Sequence, residues 1–176
     1  MRVYYDNVIA SGLITGDLKP EAEMAALHEI ERAHEVGRLK RVTSTESWRE
    51  QKRTQDAARR SQLEAAQDLV SVVQVTPCVT GLENDLWPNG KDGENPIPND
   101  YADELLFDDL RRLGLQEPDA RHFMLAAKNN CDRFVTLDGD FLDRRSSLEC
   151  RCSSIRVVRP SELVVELKRT PEDGAC

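Results

Sequence analysis

Short apolar segments and longer amphipathic segments alternate along most of this 176-residue chain. The apolar segments predict strands at residues 1–9, 39–42, 70–75, 133–137 and 155–158; the first strand, RVYY, ends at Asp6 and runs into residues 7–9. The amphipathic segments predict helices at residues 20–37, 43–69, 100–113, 119–128 and 162–167. Such alternation is typical of a parallel sheet, because each pair of parallel strands needs a crossover that packs on a face of the sheet. The sequence therefore predicts an α/β fold, a three-layer α/β/α sandwich with a mainly parallel central sheet.

Two local patterns predict where strands end and helices begin. The small residues at 10–12 predict a turn directly after the first strand. Thr43 and Glu46 have the spacing of a capping box, in which Thr43 caps the helix and Glu46 reaches back to the cap. The range 47–50 has the same form, so the helix begins at one of two positions one turn apart.

The pattern fits one domain over residues 1–165, with a long loop at about 80–99 that is rich in glycine and proline. A loop of this length in a compact domain is either functional or mobile. Residues 170–176 are expected to fray. No segment approaches the roughly 18 apolar residues of a membrane span, and the first residues do not form a signal or transit peptide. We therefore expect a cytoplasmic protein that does not enter a membrane.

Charge is unevenly distributed along the chain. The chain has 24 Lys and Arg residues and 32 Asp and Glu residues, which gives a net charge of −8. This charge argues against a protein that coats nucleic acid through bulk charge. Residues 40–62 nevertheless carry seven basic side chains and three acidic ones, a local charge of +4. Arg49, Lys52 and Arg53 in this segment are candidates for holding phosphates, although a solvated helix face is an equal alternative.

Acidic residues stand where predicted strands end or predicted helices begin. Asp6 and Asp138 follow strands, and Glu46 and Asp119 lie near helix N-termini. In α/β sheets ligands bind beyond the carboxyl ends of the strands, where the strand order reverses. Four carboxylates meeting there would repel one another unless a cation neutralised them. Because no His or Cys pattern favours zinc, a hard ion such as Mg²⁺ or Mn²⁺ fits better, and such an ion supports hydrolysis of a phosphodiester.

At these positions the sequence resembles the PIN-domain nuclease family, which includes the toxins of VapBC toxin-antitoxin pairs. The family pattern has a first strand ending in Asp, an acid near the start of a later helix, an Asp opening a helix, and a closing T-x-D-x-D-F segment. The matching residues are Asp6, Glu46, Asp119, and then Thr136, Asp138, Asp140 and Phe141. The resemblance covers roughly residues 1–160. Family members usually place Ser or Thr between the first Asp and an Asn, whereas here Asn7 follows Asp6 directly.

The resemblance implies a ribonuclease that uses Mg²⁺ or Mn²⁺. Its implied catalytic residues are Asp6, Glu46, Asp119 and Asp138, and its implied metal ligands are Asp6, Asp119, Asp138 and Asp140. Asn7 and Thr136 would support the site, and Arg49, Lys52 and Arg53 would bind RNA. The implied partners are RNA, an antitoxin protein and a second copy of the chain. Glu50 lies one turn after Glu46 and remains an alternative for the acid on that helix.

Two other functions compete with this one. A PIN-like module that binds without cutting is the first, because the spacing after Asp6 departs from the family. A phosphatase of the haloacid dehalogenase type is the second, because Thr136–Asp140 resembles its nucleophile motif, but only 38 residues follow Asp138. His122, three residues after Asp119, is expected to pack or cap, with a role as a base as the alternative.

Overall fold

The computed structural model describes residues 1–65 and 103–169. The strand predicted at 70–75, the loop predicted at about 80–99 and the tail predicted to fray at 170–176 lie outside the described residues. Within the described ranges, no helix combines the length and the apolar character that are needed to cross a membrane.

The described strands form one parallel sheet. They are β1 (Arg2–Tyr5), β2 (Lys40–Val42), β3 (Arg133–Val135) and β4 (Arg156–Val158). Their order is β2-β1-β3-β4, and each neighbouring pair is parallel. The chain adds β2 on one side of β1 and then β3 and β4 on the other. The strand order therefore reverses between β1 and β3, and the predicted α/β class with a parallel sheet is confirmed.

Helices connect and cover these strands. They are α1 (Asn7–Thr15), α2 (Glu21–Glu35), α3 (Thr45–Lys52), α4 (Ala57–Ala65), α5 (Glu104–Arg112), α6 (Glu117–Lys128), α7 (Gly139–Asp143), α8 (Arg145–Arg151) and α9 (Pro160–Arg169). The predicted helices at 20–37, 100–113, 119–128 and 162–167 correspond to α2, α5, α6 and α9.

Side chains on alternating sides of the strands belong to two buried apolar clusters. Tyr4 and Phe134 pack with residues of α5, α6, α7 and α8. Val3, Tyr5 and Val135 pack with residues of α1, α2 and α9. Because neighbouring residues of a strand point to opposite faces, the two clusters lie on opposite sides of the sheet. Near-continuous burial of β1 is expected for a parallel strand that is covered on both faces.

The first predicted strand, RVYY ending at Asp6, is confirmed as β1, but the prediction that the chain runs on through residues 7–9 into a turn at 10–12 is wrong, because α1 begins at Asn7. Asp6 Oδ1 accepts a hydrogen bond from the Asn7 backbone N–H at 2.7 Å and so caps the helix. The small residues serve close packing: a Cβ at Gly12 would lie 2.7 Å from Leu18 Cδ1. The left-handed residue that ends this helix is Gly16, with φ of 68°.

The prediction of one helix over 43–69 is also wrong for its described part. Asp56 Oδ1 accepts hydrogen bonds from the backbone N–H groups of Ala58 and Arg59, and these bonds start α4 as a separate helix. The residue before α3 is Ser44 rather than Thr43. Thr43 Oγ1 donates to the Tyr5 carbonyl at 3.1 Å, so Thr43 ties the end of β2 to β1 and is not the N-cap that was expected. Residues 66–69 lie outside the described part of the chain.

The interval between Asp138 and β4, for which no helix was predicted, contains α7 and α8. Asp138 Oδ1 accepts from the Asp140 backbone N–H at 2.7 Å and caps α7. Phe141 and Leu148 from these short helices are fully buried in the cluster around Phe134. Tertiary burial therefore stabilises helices whose own sequence shows little periodicity.

Candidate functional site

Asp6 and Asp138 follow the two central strands. β1 and β3 are neighbours, with Tyr5 in register with Val135, and the Asp6 backbone N–H continues the pairing by donating to the Val135 carbonyl at 3.1 Å. Asp6 is 4% exposed. Both residues thus stand at the carboxyl edge of the sheet where the strand order reverses, which is the usual ligand position in α/β proteins.

Thr136 links these two acids. Its hydroxyl donates to Asp6 Oδ2 at 2.7 Å and accepts from the Asp138 backbone N–H at 2.9 Å. The other Asp6 oxygen accepts from the Asn7 backbone N–H. The Asn7 side chain is used within α1, since its Oδ1 accepts from Ser11 Oγ at 3.2 Å. Both oxygens of the Asp6 carboxylate are therefore fixed, and each keeps a lone pair for a further contact.

The start of α6 brings a third acid to this edge. Asp119 is half-buried and its pKa is raised from 3.8 to about 6 by burial and by the negative charges of Asp6, Asp138 and Glu50, which His122 partly opposes. Burial also raises the pKa of Asp6, against the opposing effects of His122, Thr136 and the Asn7 N–H. We refer to Asp6, Asp119 and Asp138 as the acidic site.

Helix α3, which packs on α1 and α6, supplies two further acids. Glu46 is buried. Burial is the main reason why the pKa of Tyr4 is raised, and the charge of Glu46 adds a smaller effect to it and to the raised pKa of His122. The charge of Glu50 contributes to raising the pKa values of Asp6 and Asp119. Both candidates for the acid on this helix therefore lie in the electrostatic surroundings of the acidic site, and Glu50 acts directly on two of its members.

His122 lies among these acids and is fully buried. Its Nδ1 is 2.7 Å from Tyr4 Oη, and its Nε2 is 3.5 Å from Glu50 Oε1. The second distance is an ion-pair contact rather than a hydrogen bond. Burial lowers the pKa of His122, but the contact with Glu50 and the charge of Asp6 outweigh burial, and the pKa is raised. The spacing of three residues from Asp119 was the only sequence signal for this placement.

The structure places Asp140 differently from the other predicted metal ligands. Its carboxylate is about half exposed and pairs with Arg144 at 2.9 Å, one helical turn along. Its backbone N–H donates to Asp138 Oδ1. In this arrangement Asp140 orients Asp138 through its main chain, while its side chain neutralises an arginine.

The basic residues of 40–62 do not lie along one helix. Arg49 and Lys52 belong to α3, and Arg53 follows as its C-terminal cap; the Lys52 and Arg53 side chains are exposed. On α4, Arg59 pairs with Asp17 at 2.7 Å, and Arg60 donates to the Thr54 carbonyl. The exposed positive charge of the described part therefore includes the C-terminal end of α3, the helix that carries Glu50.

The donor set of the acidic site consists of carboxylate oxygens, which suits Mg²⁺ or Mn²⁺ rather than zinc. Among residues 1–65 and 103–169, no group of three or more His, Cys, Asp or Glu side chains stands so that it could hold a metal ion. Mg²⁺ is usually held by one or two carboxylates and keeps several waters, so three protein ligands are not required. The chemistry of the residues therefore fits such an ion.

Comparison of the chain with models of known protein families finds no match, and a search of curated proteins finds no similar sequence.

Proposed function

We propose that the chain is a metal-dependent ribonuclease with a PIN-like three-layer α/β/α fold. The observation behind the proposal is the electrostatic coupling of Asp119 to Asp6 and Asp138, since burial first, and then the negative charges of these two residues, raise the pKa of Asp119 to about 6. Such repulsion costs free energy in the absence of a ligand, so it favours a cation-binding role over a structural one.

The residues of the acidic site would hold Mg²⁺ or Mn²⁺, which when bound supplies charge that activates water and stabilises a phosphodiester under attack. Thr136 and the Asn7 N–H hold the Asp6 carboxylate in one orientation. The Asp140 N–H does the same for Asp138. Asp140 is retained as a proposed ligand in addition, although this would require its carboxylate to leave Arg144.

Exposed basic residues at the end of α3 would hold the RNA. Lys52 and Arg53 place positive charge on the helix that also carries the proposed catalytic Glu46 and its alternative Glu50, and phosphate contacts of this kind position a strand without reading its sequence. Arg49 completes the proposed set. A cytoplasmic location, which the sequence favours, belongs to the same proposal, as do an antitoxin partner and a homodimer, which the family resemblance implies.

Cleavage of RNA by the purified full chain tests the proposal. We expect a single-stranded RNA to be cut with Mg²⁺ or Mn²⁺ and to stay intact with a chelator. D6N and D138N should each reduce the rate by about 100-fold or more, since they remove charge at the reacting centre. D108N, which makes the same change at an exposed position of α5, should cut like the parent.

Three results would contradict the proposal. Equal cleavage by the parent, D6N and D138N would show a contaminating nuclease. RNA binding without cleavage under all metal conditions would indicate the inactive PIN-like module. Release of phosphate from a phosphomonoester, with RNA left intact, would indicate the haloacid dehalogenase-type phosphatase.

A further inference from the structure

A buried polar network joins β1, α3 and α6 beside the acidic site. His122 is 1% exposed and its Nδ1 lies 2.7 Å from Tyr4 Oη. Tyr4 Oη donates to Ser44 Oγ at 2.6 Å. Because the single hydroxyl proton of Tyr4 goes to Ser44, the Tyr4 oxygen accepts from the Nδ1–H of His122. The imidazole ring is therefore held in one orientation by a strand residue and by the residue that precedes α3.

The other ring nitrogen faces Glu50. Nε2 lies 3.5 Å from Glu50 Oε1 and has no hydrogen-bond partner among the described residues. With a proton on Nδ1, Nε2 presents to the carboxylate either a lone pair, which repels it, or a second N–H, which attracts it. A small movement of the Glu50 side chain would turn the second arrangement into a charge-assisted hydrogen bond.

Glu50 needs such a partner because it and two acids of the site repel one another. Its charge contributes to raising the pKa values of Asp6 and Asp119, so repulsion from these carboxylates acts on Glu50 in return. The Glu50 side chain is 23% exposed, so solvent is an accessible alternative to its place beside the acids. Without an attractive contact, the carboxylate would move toward water.

We propose that His122 is a positioning residue that holds the Glu50 carboxylate beside the acidic site through Nε2–H, while Tyr4 and Ser44 hold the imidazole ring. This inference rests on the ribonuclease function proposed above and extends it to a residue outside the carboxylate set. It also gives Glu50 a role in the site in addition to the role proposed for Glu46.

Two variants of similar polarity distinguish the roles of the two ring nitrogens of His122. In H122N the side-chain amide lies near the former Nδ1 and can contact Tyr4, but it is too short to reach Glu50. In H122Q the amide lies near the former Nε2 and can reach Glu50, but the contact with Tyr4 is weakened. If the ring acts by holding Glu50, Gln preserves its role and Asn does not. If the ring only anchors Tyr4, the order is reversed.

We expect H122N to lower kcat for cleavage of a single-stranded RNA by about tenfold to 100-fold, as misplacement of a supporting group does. The KM for RNA should stay the same, because Glu50 is not a phosphate-binding group. H122Q should stay within about threefold of the parent. In an E50Q background, H122N should add less than about a threefold loss, because the group that His122 holds is then already uncharged.

Crystal structures of H122N and H122Q without metal give a readout that does not depend on activity. We expect the Glu50 carboxylate to turn outward in H122N and to keep its position in H122Q. An unmoved Glu50 in H122N, or a larger loss of kcat in H122Q than in H122N, or the same loss with and without E50Q, would overturn the inference. If the parent does not cut RNA, the ribonuclease proposal fails by itself, and the two crystal structures still decide whether His122 holds Glu50.

Discussion

At the scale of single residues, Asp119 carries the clearest electrostatic consequence of the site. Its pKa of about 6, against an ordinary value of 3.8, means that the folded chain binds this proton more tightly than the unfolded chain. Stability from this group is therefore fully present below about pH 4 and is lost as the pH rises through about 6. At neutral pH without a cation, the ionised carboxyl destabilises the fold.

Asp119→Asn should therefore stabilise the protein at neutral pH in a chelator. We expect a gain of about 1 kcal/mol in the free energy of unfolding at about pH 8, which is less than the whole pKa shift implies because water screens a half-exposed group. The gain should nearly disappear at about pH 4, where the parent carboxyl is protonated. Urea unfolding at the two pH values measures both quantities.

D108N is the matched control for this measurement, since Asp108 is exposed on α5. It should show no gain that depends on pH. An equal gain in stability for D119N at both pH values, or a loss of stability at about pH 8, would contradict the explanation that burial and neighbouring acids raise the pKa of Asp119.

At the scale of secondary-structure elements, Thr136 connects the ends of β1 and β3. Thr136→Val keeps the shape of the side chain but removes the donor to Asp6 Oδ2 and the acceptor of the Asp138 N–H. We expect a loss of about 1 to 3 kcal/mol in the free energy of unfolding, because buried polar groups lose their partner. Calorimetric or urea unfolding measures it, and cleavage should fall in parallel.

Thr136→Ser supplies the control, since it keeps the hydroxyl and removes a methyl group. Most of the stability and activity should return in this variant. An impaired Ser variant beside an unimpaired Val variant would show that the methyl packing of Thr136 matters and that its hydrogen bonds do not.

The sequence predicts the elements whose apolar pattern is strong and fails where a tertiary contact decides. β1, α2 and α6 follow from their patterns. The start of α1 does not follow from its pattern. Small residues usually favour a turn, but in this helix they allow close packing, with Gly12 against Leu18. The break between α3 and α4 depends on one side chain, Asp56, and its bonds to two backbone N–H groups.

The same distinction applies to the site. Asp6 and Asp138 can be placed from sequence, since an acid after a strand necessarily lies at the carboxyl edge of a parallel sheet. The pairing of Asp140 with Arg144 requires the helical turn that was not predicted there. The contact of His122 with Glu50 requires the relative placement of α3 and α6, which no pattern within either helix contains.

At the scale of the whole molecule, the strand order and the charge distribution are both consistent with the proposed site. In the order β2-β1-β3-β4 the strand order reverses between the two central strands, and Asp6 and Asp138 follow the carboxyl ends of these strands. A chain with a net charge of −8 would attract RNA only through local positive charge, as the proposed function requires. Exposed Lys52 and Arg53 supply such charge on α3, the helix that also carries Glu50.

We propose that Asp6, Asp119 and Asp138 together bind one divalent cation. Anomalous diffraction from crystals of the full chain soaked with Mn²⁺ shows where such an ion binds. We expect an anomalous peak in contact with carboxylate oxygens of the acidic site, and its loss in D138N crystals treated in the same way. Mn²⁺ bound elsewhere on the chain, with no peak at these three carboxylates, would rule out the proposed metal site.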